Sequence, residues 1–197
     1  MVAYLAPDQP IKYSTAGFMV LAAVSVVQAI DDISDLRGRA ALKWINDILI
    51  EGAKICGVIV HTQQEGNIVA GAILGIGLNV EATPVVSATP YVPKVASLSD
   101  FCERRDQCNR REIVRKLMTR LKENYLMLIG GAYLDLLDYY QERSIVLGRE
   151  VAIYSDSLSE IDVEIARGKT VRIGPNLELY IEGREMPVTG GRLVLQG

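Results

Sequence analysis

The chain has 197 residues, 49% of them apolar and 23% charged, with a formal net charge of −3. That is enough chain for one good core spread over one or two domains, and the composition excludes a disordered polymer. The slight acidity offers no electrostatic footprint for nucleic acid. A single histidine and three cysteines (Cys56, Cys102, Cys108) without CxxC spacing exclude a structural zinc site, and the cysteines read as unpaired thiols of a reducing compartment.

Val2 to Leu5 reads as a short strand, followed by a loop with Pro7 and Pro10. Residues 16–30 are apolar nearly all round, yet the run is shorter than the roughly 20 residues a membrane span needs. No basic start or cleavage site precedes it, so a signal peptide is not expected. A buried helix is expected, with Ser14 or Thr15 as its N-cap, in a cytoplasmic protein without a membrane partner.

Strands follow at 40–44, 48–50, 55–62 and 68–78, joined by turns at Ile45-Asn46-Asp47, Glu51-Gly52-Ala53-Lys54 and Gln64-Glu65-Gly66-Asn67. Long apolar runs suggest strands covered on both faces, and the tight turns suggest antiparallel neighbours. From Glu81 to Val95, Pro84, Pro90 and Pro93 mark a loop too long to be a turn. A helix is expected after Asp100, and a longer one capped by Asn109 with Ile113, Leu117, Leu121, Tyr125 and Leu128 facing inward. Gly130-Gly131 stops it, and a third helix is expected over 132–143. The basic cluster Arg104, Arg105, Arg110 and Arg111 reads as a solvated helix start. Beyond Gly148, short segments at 151–154, 161–165, 170–173, 177–181, 186–188 and 192–195 form the pattern of a small antiparallel barrel or sandwich.

The polar groups of the strand block, Lys43, Asn46, Asp47 and Asn79, fall at strand ends, where a sheet can surround a polar ligand. Lys43 is either a pocket cation for a phosphate or carboxylate, or a strand-end lysine beside a turn-forming Asn-Asp. Asp47 could orient that lysine or hold Mg2+ near a nucleotide. Gly75-x-Gly-x-Asn79 lacks the third glycine of a dinucleotide fingerprint. Its glycines instead let a ligand lie close to a strand, with the Asn79 amide reading a flat heterocycle. His61 reads as a strand residue facing loop or solvent, and Trp44 as core.

Lys43-Trp-Ile-Asn-Asp-Ile48, Lys54-Ile-Cys-Gly-Val-Ile-Val60 and Gly75-Ile-Gly-Leu-Asn-Val80, in this order, resemble the catalytic domain of biotin protein ligases. The tail, with Gly168 to Ile173, Leu177-Glu-Leu179 and Gly190-Gly-Arg-Leu193, resembles that family's C-terminal barrel. The resemblance implies an α/β (α+β) fold, in which a mixed sheet backed by helices forms a class II synthetase-like biotin/lipoate ligase core over 1–147. A small SH3-like β-barrel would follow over 148–197. It implies biotin and ATP as substrates with Mg2+, biotinyl-adenylate as intermediate, and transfer of the acyl group to a lysine of a biotin carboxyl carrier domain. Lys43 would be the catalytic residue, with Gly57 and Val58 beside it at the biotin. Asn46, Asp47, Gly75, Gly77 and Asn79 would serve the nucleotide, and Asn79 the metal. A homodimer through sheet edges is a further implication.

The family's Pro is Ile45 here, and its Gly/Arg-rich loop and Ser-Thr/Asn strand, which precede the match to Val2–Leu5, have no counterpart in this sequence. Three readings stay open: a fragment or one half of a split ligase whose N-terminal half is a separate chain, a degenerate relative that binds a ligand or protein without turnover, and a lipoate-type ligase. A repressor role is not expected, because no DNA-binding helical domain is found.

Overall fold

The structure, a computed structural model, describes residues 1–104, 106–156 and 163–196. Arg105 of the expected basic cluster and the start of the strand expected at 161–165 lie outside these residues.

The first layer is a six-stranded sheet built from β1 (Val2–Leu5), β2 (Gln9–Pro10), β3 (Ala40–Lys43), β4 (Asp47–Ile50), β5 (Ala53–Glu65) and β6 (Ile68–Leu78). Its spatial order is β1-β6-β5-β4-β3, with β2 also pairing β6. Every pairing of named strands is antiparallel, and parallel contact is confined to isolated bridges such as Lys54 with Val95. Antiparallel order follows from the short turns, which leave no room for a crossover.

Helix α1 (Ser14–Asp31) packs across β3–β6 on one face of this sheet, and α2 (Arg110–Ile129) and α3 (Tyr133–Glu142) cover the side of α1 turned away from the sheet. Phe18, Leu21, Val24, Val27 and Ile30 of α1 are all fully buried, so the expected core helix is observed. Its start differs from expectation: Tyr13, in a left-handed conformation and without a side-chain cap bond, stands at the N-cap instead of Ser14 or Thr15. Among the few buried polar groups, Ser25 donates to the Leu21 carbonyl (2.7 Å) and accepts from the Asn124 amide of α2 (2.8 Å). The second N–H of that amide goes to the Gln28 side chain (2.9 Å), which fixes how α2 lies on α1. Asn109 caps α2 as expected, accepting from the Glu112 amide, whereas the helix expected after Asp100 is a single 3-10 turn over Leu98–Asp100.

The second layer is a four-stranded antiparallel sheet, β10-β7-β8-β9, from β7 (Glu150–Tyr154), β8 (Glu164–Ile173), β9 (Leu179–Ile181) and β10 (Arg192–Leu195). β8 is one continuous strand where two were expected, and the segment at 186–188 contributes only a bridge from Val188 to Leu179. Hydrogen bonds tie this part of the chain to the first sheet and to α3. Trp44 donates its indole N–H to the Leu177 carbonyl (2.7 Å), Tyr133 its hydroxyl to the Pro175 carbonyl (2.7 Å), and Gln141 its amide to the Ile173 carbonyl (3.1 Å).

One expectation is overturned. Cys102 and Cys108 are not free thiols but a disulfide whose Cα atoms lie 6.5 Å apart, closing the loop that leads into α2. A short gap without CxxC spacing hid the pairing, because chain reversal between the two residues is not written in their separation. Cys56 remains a buried thiol, its pKa pushed up to about 12 by burial.

Two outcomes follow from these contacts. Trp44→Phe leaves the Leu177 carbonyl without its buried donor and is expected to cost about 1–3 kcal/mol in urea unfolding. Asp32 is held below its ordinary value of 3.8, chiefly by the Arg120 guanidinium bonded to both its oxygens (2.6 and 2.9 Å). Its contribution is therefore complete above that value and lost as pH falls through the lower folded value. Arg120→Gln should accordingly lower the urea midpoint at neutral pH, with the gap to the parent protein narrowing in strong acid.

Candidate functional site

The register of the first sheet decides what each face carries. Leu42, Ile48, Cys56 and Leu78 lie side by side across β3, β4, β5 and β6, and they face α1. One residue along, the neighbouring row must face the other way. That row is Lys43, Asp47, Gly57 and Gly77. A lysine and a carboxylate thus lead onto two strands whose side chains are missing at adjacent positions, which leaves a floor of bare backbone.

The floor is open. A Cβ placed on Gly77 would meet only the Gly57 carbonyl, at 3.6 Å, and one on Gly57 only the ends of Lys54 and Asp47, at 3.4 Å and beyond. Gly75 is different, because the Ile59 side chain lies over it. Beyond the glycines the same face turns apolar: Val2 (75% exposed), Tyr4 (65%), Ile59 (70%) and Ile73 (45%) stand on it uncovered. His61 pairs with Ile73 on this face and is exposed, as its strand position suggested.

Two ammonium groups flank Asp47. Lys54 reaches over the edge of the floor, with Nζ 2.5 Å from Asp47 Oδ1. Lys43 is only 7% exposed and donates to the Tyr91 carbonyl in the 81–97 loop (2.5 Å). Burial lowers the Lys43 pKa, opposed by the Asp47 charge and reinforced by Lys54. Both lysines, with Asn46, Asp47, Tyr91 and Arg192, line one groove of about 420 Å³, which is of ligand size. Among the described residues that line it are three cations (Lys43, Lys54, Arg192) and two carboxylates (Asp47, Asp156), a balance that leans toward an anion.

The other residues singled out in the sequence are distributed differently. Asn46 donates to the Val58 carbonyl (2.7 Å) and accepts the Val58 N–H on its own carbonyl (3.0 Å), so it braces the turn between β3 and β4. The Trp44–Ile45 peptide within that turn is cis. Val58 points its side chain into the core, fully buried, and its backbone groups are engaged by Asn46. Asn79 lies in a separate groove with Met1, Leu78, Glu81 and Arg110, its amide donated to the Ala96 carbonyl (3.0 Å).

These donors do not fit an Mg2+ ion held by the chain's own side chains. Asp47 is paired with Lys54, Asn79 stands in another groove, and no cluster of three or more metal-ligating side chains occurs among the described residues. Lys54 is the site residue that sequence reading passed over as part of a hairpin turn. The shift of register between Ile48 and Leu49 brings it to Asp47, and a strand pattern does not reveal a bulge.

Comparison with known proteins shows what the chain is similar to. The model of the Biotin/lipoate A/B protein ligase family matches residues 4–79, which hold all four strands of the site. The Bifunctional ligase/repressor BirA of Bacillus subtilis is 41% identical over 80 residues, covering 41% of this chain and 24% of that protein. The biotin–acetyl-CoA-carboxylase ligase of Mycobacterium tuberculosis is 28% identical over 180 residues, 91% of this chain and 57% of that protein. The chain therefore spans between a quarter and somewhat over half of these relatives. Among solved structures, the apo biotin protein ligase of Aquifex aeolicus superposes with a TM-score of 0.74 at 20% identity, over 99% of this chain and 80% of that one. The same ligase in complex with biotin and ATP gives 0.71, over 99% and 76%. The fold is that of a biotin ligase, and residues 4–79 are similar to the Biotin/lipoate A/B protein ligase family.

Proposed function

We propose that the chain carries the sheet side of a biotin protein ligase site, in which biotin and ATP form biotinyl-adenylate and the acyl group then passes to a lysine of a carrier domain. The observation that carries this reading is the row Lys43, Asp47, Gly57, Gly77 with Lys54 folded over it. In the first step a biotin carboxylate oxygen attacks the α-phosphorus and pyrophosphate leaves. In the second, the carrier amine attacks the carbonyl of the mixed anhydride and AMP leaves.

Each group on the face has a part in this chemistry. The bare backbone of Gly57 and Gly77 lets a flat ligand lie against the sheet where a side chain would hold it off. Lys54, oriented by Asp47, stands at the edge of that floor, where its charge stabilises the negative charge that grows on the α-phosphate oxygens. Lys43 adds a second cation behind it, though its ammonium is turned to the Tyr91 carbonyl rather than to the floor. That geometry makes Lys54 the better-placed group for the reacting anion. The uncovered apolar residues Val2, Tyr4, Ile59 and Ile73 supply a surface against which water is excluded once the face is closed. In this reading the closing element is the Gly/Arg-rich loop of the family, carried on further polypeptide or on a separate N-terminal half, and the domain border falls near Gly148. The Aquifex structure with biotin and ATP, and the ligase names of the curated relatives, support the choice of substrates.

Calorimetric titration with biotin, with and without Mg-ATP, tests the reading. Binding at micromolar strength or better is expected. Gly77→Ala should keep the fold, because its Cβ finds ordinary space, yet weaken biotin by about tenfold or more through contact with the ligand. Retained binding in that variant, or no binding by the parent chain, would overturn the proposed floor. Adenylation measured by pyrophosphate exchange, after addition of a Gly/Arg-loop half, should fall about a hundredfold or more in Lys54→Ala and less in Lys43→Ala. Ligand binding that never leads to exchange would mark a binding module instead of an enzyme half.

A further inference from the structure

The second sheet holds one aromatic ring of the loop that borders the site. Tyr91 sits at the tip of a tight turn closed by reciprocal backbone hydrogen bonds between Thr89 and Val92, with Pro90 and Pro93 on either side of it. The chain then rejoins the first sheet, where the Lys54 amide donates to the Lys94 carbonyl and the Ala96 amide to the Lys54 carbonyl. The turn is therefore a stiff strap whose foot is fastened to β5.

Its tip is fastened to the other sheet. Arg192 of β10 and Tyr154 of β7 are cross-strand partners, and together they form a notch for the Tyr91 ring. The Arg192 guanidinium carbon lies 4.4 Å from the ring centroid, and Tyr154 meets the ring edge-on at 5.8 Å and 74°. Arg192 is itself oriented, donating to the Ser155 carbonyl at 3.3 Å with Asp156 at 3.8 Å. Stacking of a guanidinium on a phenol ring is directional and is strengthened where water is scarce. The carbonyl of this pinned residue is the acceptor for the Lys43 ammonium.

We propose that Arg192 is a positioning residue: by holding the Tyr91 ring it keeps the Tyr91 carbonyl on the Lys43 ammonium and so fixes that lysine at the back of the groove. Release of the ring frees the ammonium to swing into the groove beside Lys54. The C-terminal sheet thereby sets how many cations the groove presents to an anion. The inference rests on the place of Lys43 in the site and not on the ligase chemistry, so it can fail while that reading stands, and the reverse.

Pulse acetylation of the whole chain with acetic anhydride, read by mass spectrometry as Lys43 labelling relative to the exposed Lys122, tests the latch without biotin or ATP. The parent protein should label Lys43 slowly. Tyr91→Ala and Arg192→Met should raise the ratio about fivefold or more, since only the fraction of Lys43 released to solvent can lose its proton and attack the anhydride as the free amine. Tyr91→Phe keeps the ring and the carbonyl, and Arg192→Lys keeps a cation over the ring, so both should stay within about twofold of the parent. Near-UV dichroism checks that each variant keeps its packing. Rapid Lys43 labelling in the parent, or parent-like labelling in folded Arg192→Met, would overturn the proposal. Should Arg192→Met lose its fold, Tyr91→Ala together with the rescue by Arg192→Lys decides: slow labelling in the first or fast labelling in the second would overturn it.

Discussion

A helix that is apolar on every side has to be covered on every side. α1 meets that demand with four strands on one flank and α2 and α3 on the other. Burial of its Phe, Leu, Val and Ile side chains is a strong driving force for this packing. The geometry of the site follows from it. The sheet gives one whole face to α1, so whatever the strands hold for a ligand must stand on the opposite face. Strict alternation then sorts the residues, sending Leu42, Ile48, Cys56 and Leu78 inward and Lys43, Asp47, Gly57 and Gly77 outward.

Much of this was legible in the sequence. Apolar runs and short turns gave the sheet, and the unbroken apolar stretch before it gave the core helix. Asn109 announced α2 through ordinary capping chemistry. The Gly75-x-Gly77 spacing marked a strand that a ligand can approach closely, and the resemblance to biotin protein ligases added Gly57. Less legible were features set by tertiary contact. The Tyr13 cap depends on backbone conformation, not on a polar side chain. The Cys102–Cys108 pairing depends on how the loop folds back, and Lys54 reaches Asp47 only because the strand slips register at Ile48/Leu49.

The two lysines show why residue type and place have to be read together. Both are cations near the same carboxylate, and the sequence favours Lys43 because it stands beside Trp44 in the more conspicuous motif. The structure gives them different surroundings: one ammonium lies over an open floor, the other is capped by a carbonyl and nearly withdrawn from water. An ammonium already bonded and desolvated gains less from a new anion than one standing at the edge of an open groove. Asn46 and Asn79 teach the same lesson, since both commit their amide donors to backbone carbonyls and act first as braces of the turns that shape the floor.

Trp44 is the chain's only tryptophan. It lies between Lys43 and the Asn-Asp turn, and its indole N–H crosses to the second sheet at Leu177. Its emission therefore comes from one buried position that touches both the charged groove and the junction of the two sheets. Separation of the sheets would hydrate the indole and shift its fluorescence to the red, whereas an anion settling in the groove would change the local field with the indole still dry. The protein thus contains an optical reporter that distinguishes a loosened junction from an occupied site.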